Sequence, residues 1–191
     1  WRVLKSLQAV AAEQGVPLTI RDDRHFITTV RDFKAHAAGR KQLRLEYFYR
    51  EVRRKTGLLM EGDEPMGGQW NFDADNRKPF AASGPGRLPQ PARFVPDAIT
   101  REVIDLVNHR FASHPGHLDA FAWPVTRAQA LEALALFIKE RPPHFGPHQD
   151  AMWPEEVWLF HSHLSAALNL KLIHPLEVAQ AAQAALLAGL A

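Results

Sequence analysis

The chain has 191 residues, 46% of them hydrophobic, and its 23 Lys and Arg residues nearly balance 21 Asp and Glu residues for a net charge of +2. This size and composition indicate a globular protein of one domain or two small ones. The absence of cysteine excludes disulfides, thiolate metal sites and a cysteine nucleophile within this segment. No apolar run approaches the roughly 20 residues that cross a bilayer, so we expect no membrane contact.

The first part of the chain predicts helices and a strand. Apolar residues at helical spacing predict a helix over residues 2–14 that stops at Gly15, and VPLTI at 16–20 predicts a short strand. A helix that ends in Gly and leads into a strand is typical of an α/β layer, which we expect here. Two further helices are predicted over residues 29–38 and 42–57.

The composition changes over residues 57–97, which hold six Gly and six Pro and show no periodic spacing of apolar residues. An irregular segment of this length is usually functional or a linker. Its first half carries large apolar side chains, unlike a linker, whereas its second half, KPFAASGPGRLPQPARFVP, has the composition of a linker.

Beyond residue 97 the chain predicts helices. Asp97 and Thr126 are expected to cap two of them, the second covering 126–141, and further helices are predicted over 161–173 and 175–190, with Pro175 in a first turn. The expected architecture is therefore mixed: an α/β remnant, an irregular connector and an incomplete all-α domain. Because the chain starts without Met and stops inside a helical pattern, we expect it to be part of a longer protein.

A basic helix is the first candidate for a binding site. Residues 40–55 hold seven cations against two acids, and aromatic residues lie between them: Arg40, Lys41, Arg44, Arg50, Arg53, Arg54 and Lys55. Such a helix can follow a phosphate backbone. From the residues alone, a solvated helix face with its aromatic rings in the core is the simpler interpretation.

Two patterns suggest metal binding, and neither is complete. His144 and His148 are four residues apart and His161 and His163 form an HxH pair, but neighbouring prolines argue against a helical HxxxH and no carboxylate completes the set. DADN at 73–76 opens like a calcium loop but lacks the required Gly and Glu at its sixth and twelfth positions. No metal site is predicted.

The stretch HSHLSAALN at 161–169 places Ser162 and Ser165 around the predicted start of a helix. Hydroxyls and free N–H groups at such a start suit a phosphate or pyrophosphate. Ordinary capping by Ser162 is the alternative, and without further information it is the simpler one.

Three long stretches, taken together, resemble one family. LRLEYFYREVRRKTGLLMEGDEPMGGQWNFDADNRKP at 43–79 closely resembles the bacterial photolyase-related proteins, the branch of the cryptochrome/photolyase family that includes the iron–sulfur (6-4) photolyases. FAWPVTRAQALEALALFIKERPPHFGPHQDAMW and LFHSHLSAALNLKLIHPLEV resemble the opening of the FAD domain in the same family. The similarity keeps one order along essentially the whole chain.

The resemblance implies a domain order and an activity. Residues 1–56 would be the C-terminal part of an α/β antenna domain, and residues 98–191 would be the N-terminal part of a helical FAD-binding domain. Residues 57–97 would connect these two domains. The intact protein would be a monomeric bacterial cytoplasmic lyase that repairs damaged DNA with light and FAD, of the (6-4) type. An iron–sulfur cluster and an antenna chromophore would come from missing parts of the chain, and these residues alone would be inactive. A cryptochrome photoreceptor and a non-catalytic interaction or structural module are the alternatives.

The resemblance also assigns roles to residues. HSHLS stands where related photolyases carry TSRLS, which holds FAD phosphate and ribitol, and FGPHQDAM stands for FGxYQDAM, with His148 in place of Tyr. The implied FAD-binding residues are His148, Gln149, His161, Ser162, His163, Leu164, Ser165 and Asn169.

Further roles concern DNA. Arg50, Arg53, Arg54 and Lys55 are the candidates for the DNA groove. Asp73 is the candidate catalytic carboxylate, and an Asx-turn that merely shapes the connector is its alternative.

Overall fold

The structure, a computed structural model, describes residues 2–189. It divides into two compact units, with the boundary between Leu43 and Arg44. The end of the predicted last helix at residue 190 lies outside the described residues. The division of the chain into antenna, connector and FAD segments stays a prediction.

The first unit contains two helices, α1 at Arg2–Glu13 and α2 at Val30–Ala37. Both follow the sequence prediction, and α2 begins with a capping box between Thr29 and Asp32. The predicted strand at 16–20 is wrong, because this stretch is irregular and its apolar side chains are exposed. A strand needs a partner for its backbone hydrogen bonds, and the structure shows no strand within residues 2–43.

The regular structure described in the second unit consists of helices and one small antiparallel hairpin, joined by long irregular stretches. In the hairpin, Met60 pairs with Pro65 and Glu61 pairs with Glu64. The elements in chain order are α3 Leu45–Thr56, β1 Met60–Glu61, β2 Glu64–Pro65, α4 Ala98–Arg110, α5 Arg127–Glu140, α6 Pro142–His148, α7 Ser165–Asn169 and α8 Pro175–Leu187.

The predicted start signals of three helices are confirmed. Asp97 Oδ1 accepts a hydrogen bond from the Thr100 N–H at 2.7 Å, at the start of α4. Thr126 forms a capping box with Gln129 at the start of α5. Pro175 occupies the first turn of α8, where its missing N–H costs nothing.

Two predictions around the histidines are wrong. The helix expected over 161–173 shrinks to the five residues of α7, because His163 (φ 56°) and Lys171 (φ 60°) adopt the left-handed conformation on either side of it. Conversely, residues 142–148 form helix α6 despite three prolines. Two of these lie in its first turn, where a proline is tolerated.

The apolar core of the second unit lies between α5, α7 and α8. Its buried members are Ala130, Leu134, Phe137, Leu164, Ala167 and Ile173. Alanines on facing helices allow close approach, and the larger side chains fill the space between the backbones. On the outside, the Arg127 Nη2 atom lies 2.5 Å from Glu177 Oε1 and joins α5 to α8.

Candidate functional site

Three arginines of α3 converge on one indole of the connector. Arg50, Arg53 and Arg54 lie at i, i+3 and i+4, and their guanidinium carbons are 5.4, 5.4 and 4.7 Å from the centre of the Trp70 ring. Cations over an aromatic face are attracted by its electron-rich centre. Trp70 therefore brings three side chains of the basic helix together at one ring.

Arg53 belongs to the interior of this cluster and is only 7% exposed. Its Nε donates a hydrogen bond to the Leu58 carbonyl at 3.1 Å, Nη2 donates to the Leu59 carbonyl, and Nη1 donates to the Tyr49 hydroxyl at 3.3 Å. These bonds fix the turn after α3, where Leu59 has a positive φ of 51°. The guanidinium of Arg53 is therefore engaged within the unit and is not exposed to a ligand.

The other three residues predicted to contact DNA differ in their exposure and in their contacts with the rest of the chain. Arg54 is exposed and makes no hydrogen bond or ion pair with any residue from 2 to 189. Arg50 pairs with Glu46 one turn earlier, while its buried Nε lacks a partner within the same described range. Lys55 is exposed at the end of the helix. Arg54 thus has the most donors available for a ligand.

Asp73 lies in an exposed local turn of the connector. Its N–H donates to Asn71 Oδ1 at 2.7 Å, and its carboxylate accepts a hydrogen bond from the Asn71 amide at 3.3 Å. The Asx-turn alternative is therefore present, although Asn71 and not Asp73 is the residue whose side chain closes it. Phe72, close to this turn, remains exposed.

The second half of the connector is not a free linker, because it is attached to α6 at several points. The Lys78 N–H donates to the Pro147 carbonyl at 3.0 Å, and the Lys78 carbonyl accepts a hydrogen bond from His148 Nδ1 at 2.9 Å. The Phe80 ring stacks on His148 with ring centres 4.5 Å apart. His148 therefore holds the connector, a role that its place in the sequence did not indicate.

A buried arginine adds a further attachment point. Arg141, at the end of α5, is only 2% exposed, and its Nη2 donates to the Pro89 carbonyl at 3.0 Å. Burial lowers the pKa of its guanidinium, and the adjacent Glu140 partly offsets this effect. This role could not be predicted from the sequence, because the partner lies 52 positions away in an irregular segment.

His163 has an unusual environment within the HSHLS segment. Its Nε2 donates to the Trp158 carbonyl at 2.9 Å, which leaves Nδ1 as a buried atom without a partner in the described part of the chain. Burial lowers the pKa of His163, and the positive charge of Arg141 and the proximity of His161 lower it further. The ring is therefore neutral near pH 7, with the Nδ1 lone pair available.

The remaining predicted FAD residues differ in how exposed their side chains are. Ser162 and His161 are partly exposed, and Ser165 is exposed at the first position of α7. The side chain of Leu164 is in the core, and Asn169 Nδ2 donates to the Ser165 carbonyl at 2.9 Å. Capping by Ser162 is absent, since α7 follows Leu164 with no side-chain cap. Gln149 is partly exposed directly after α6.

Comparison with known proteins identifies the family of this chain. The sequence profile described as "Deoxyribodipyrimidine photo-lyase-related protein" matches residues 1–123. The chain belongs to this family. It is also 46% identical to the "(6-4) photolyase" of Agrobacterium fabrum over 186 residues. This alignment covers 97% of this chain and 36% of that protein.

This photolyase-related chain thus spans about a third of the length of its curated relative. The family match covers α3, the connector and α4, whereas the HSHLS segment lies in the part that aligns with the relative. No helix within residues 2–189 is long and apolar enough to cross a membrane.

Proposed function

We propose that the intact protein is a flavin-dependent, light-driven DNA photolyase of the (6-4) type. The observation that carries the proposal is the 46% identity to a (6-4) photolyase over nearly the whole chain. The name of that relative is that of a repair enzyme, so a cryptochrome photoreceptor is not favoured. A non-catalytic module is the second alternative, which a flavin test separates.

The HSHLS segment fits one end of FAD. The lone pair of His163 Nδ1 is a buried acceptor without a partner among the described residues, and the Ser165 hydroxyl is exposed close to it in sequence. An acceptor beside hydroxyl donors suits the ribitol and phosphate groups of the cofactor. When bound, reduced FAD would supply the light-excited electron that cleaves the lesion.

Within this proposal, the HSHLS segment and the end of α6 contact FAD in different ways. His161, Ser162, His163, Ser165 and the backbone of Leu164 would bind and orient FAD, with Asn169 supporting the turn of α7. His148 and Gln149, next to the stacked Phe80 ring, would border the same site. An iron–sulfur cluster, an antenna chromophore, monomeric state and cytoplasmic location rest on the family resemblance alone.

Arg54, with Arg50 and Lys55 beside it, would contact the phosphate backbone of damaged DNA. These contacts would be independent of sequence, because phosphates carry no base information. The lesion would have to leave the base stack to meet the flavin, as in other enzymes that act on bases.

The decisive experiment measures lesion repair by the intact protein. Oligonucleotides with a single (6-4) photoproduct are incubated with the reduced, FAD-loaded protein in blue light and in darkness, and lesion loss is followed by chromatography. We expect loss in the light only, with a cyclobutane dimer substrate as the matched control. A protein that carries flavin but repairs neither lesion would support the photoreceptor, and one that carries no flavin would support the module.

The role of Asp73 is tested in the same assay. We expect Asp73→Asn to lower the repair rate while the FAD content is unchanged, with Asp75→Asn as the matched loop control. Full repair by the Asp73 variant would leave that carboxylate as part of the turn with Asn71.

A further inference from the structure

The contact between Trp70 and three arginines brings like charges close together. Three guanidinium groups around one ring repel one another, and of the three only Arg50 pairs with an acid within residues 2–189, namely Glu46. The negative face of the indole offsets part of this repulsion, so the ring keeps side chains together that would otherwise spread into solvent.

The backbone that follows α3 is attached to α8 by hydrogen bonds. The Gln183 side chain of α8 accepts a hydrogen bond from the Leu59 N–H at 2.6 Å, and the Leu59 carbonyl accepts one from the Met66 N–H at 2.8 Å. That same carbonyl also accepts the bond from Arg53. A chain of hydrogen bonds thus runs from α8 through Leu59 to Arg53, whose guanidinium carbon lies 5.4 Å from the centre of the Trp70 ring.

Among the three arginines, Arg54 is closest to the ring and keeps its N–H donors free within residues 2–189. A guanidinium presents five donors in a planar arrangement that suits two oxygens of a phosphate. An exposed arginine normally loses side-chain freedom when it binds, and this loss weakens the complex. A guanidinium already held against an indole has less freedom to lose.

We propose that Trp70 is a positioning residue that holds Arg54 in advance for a phosphodiester group of nucleic acid. This inference deepens the proposed function and rests on its DNA-binding part. Trp70 makes no contact with the phosphate itself. Its removal therefore weakens binding without removing a positive charge from the interface.

The experiment measures the affinity for DNA and its salt dependence with the intact protein. A fluorescein-labelled duplex is titrated by anisotropy at several salt concentrations with the wild type, Trp70→Met, Trp70→Phe and Arg54→Gln. We expect Trp70→Met to weaken binding about three- to tenfold with an unchanged salt slope. Trp70→Phe, which keeps a ring, should restore most of the affinity. Arg54→Gln should lower the slope of log K against log salt by about 0.9, the value for one lost phosphate contact.

A measurement without nucleic acid separates this inference from the proposed function. The arginine Nε–H resonances are recorded by NMR, and we expect the Arg54 signal to be shifted by the indole ring and to move to its ordinary position in Trp70→Met. The same spectra show whether the variant is folded.

The outcomes are distinct. If the wild type binds no duplex, the DNA-binding proposal fails, and the inference fails with it even if the Arg54 signal is shifted. If the wild type binds and Trp70→Met binds equally well, or has the reduced slope of Arg54→Gln, only the positioning role is wrong. An unshifted Arg54 signal in the wild type overturns the positioning role whatever the affinity.

Discussion

The first unit and the core of the second unit differ in what their helices cover. In α5, α7 and α8, apolar side chains at helical spacing are buried against one another. In α1, the same spacing leaves Val3, Leu7 and Val10 exposed, and no apolar side chain from residue 2 to 43 is buried. Periodicity thus predicts a helix and the face that could be covered, but not whether another element of the chain covers that face.

The largest expected effect concerns the core. We expect Ile173→Ala to lower the free energy of unfolding by about 2–5 kcal/mol, because its fully buried side chain leaves a cavity between α7 and α8. The matched control is Val10→Ala in α1, whose side chain is 54% exposed, with an expected change within about 0.5 kcal/mol. Chemical denaturation followed by circular dichroism measures both, and equal losses would remove the contrast between the units.

A charged residue can also behave as part of the interior. We expect Arg53→Gln to destabilise the second unit by about 1–3 kcal/mol, because the partly buried Leu58 and Leu59 carbonyls lose the hydrogen bonds that Arg53 donates. Arg54→Gln is the control on the same helix and should change stability by less than about 0.5 kcal/mol. If both variants unfold at the same denaturant concentration, the bonds of Arg53 do not stabilise the turn.

The threonine capping boxes of α2 and α5 allow a smaller test, one in each unit. Thr126→Ala removes the oxygen that accepts the Gln129 N–H at the start of α5, and we expect a loss of about 1 kcal/mol in global unfolding. Thr29→Ala does the same to α2 and should appear as faster amide exchange within α2. Global destabilisation by Thr29→Ala equal to that of Thr126→Ala would show that the two units unfold together.

The smallest expected effect is a pH dependence. Hydrogen bonds from Arg127 and from the His174 N–H together lower the pKa of Glu177 from 4.5 to about 2. A carboxyl with a depressed pKa in the folded state stabilises the fold above pH 4.5, and this contribution is lost as the pH falls towards 2. Because the pair is largely exposed, the effect is small. We expect Glu177→Gln to flatten the pH dependence of thermal unfolding over this range, with Glu132→Gln as the control.

Local rules account for what the sequence predicted correctly. The caps at Asp97 and Thr126 and the proline at 175 each depend on residues within one helical turn, so they can be read from the sequence. The contacts of Arg53, His148 and Arg141 could not be predicted, because each reaches an irregular backbone whose path is set by tertiary packing. The prediction of a strand at 16–20 was wrong for a related reason, since whether a strand finds a neighbouring strand to pair with does not depend on local sequence.

The left-handed residues around α7 have a consequence for local opening. Glu155, Leu159, His163 and Lys171 all have positive φ within seventeen positions, a conformation that costs a residue with a side chain roughly 1–2 kcal/mol. Such a segment keeps its shape only while the buried Leu159, Phe160 and Leu164 hold it in place. Its amides should therefore exchange with solvent by the same cooperative opening as the core helices, and not by independent fraying. The backbone that presents His163 would then be as rigid as the α5–α8 core on which it rests.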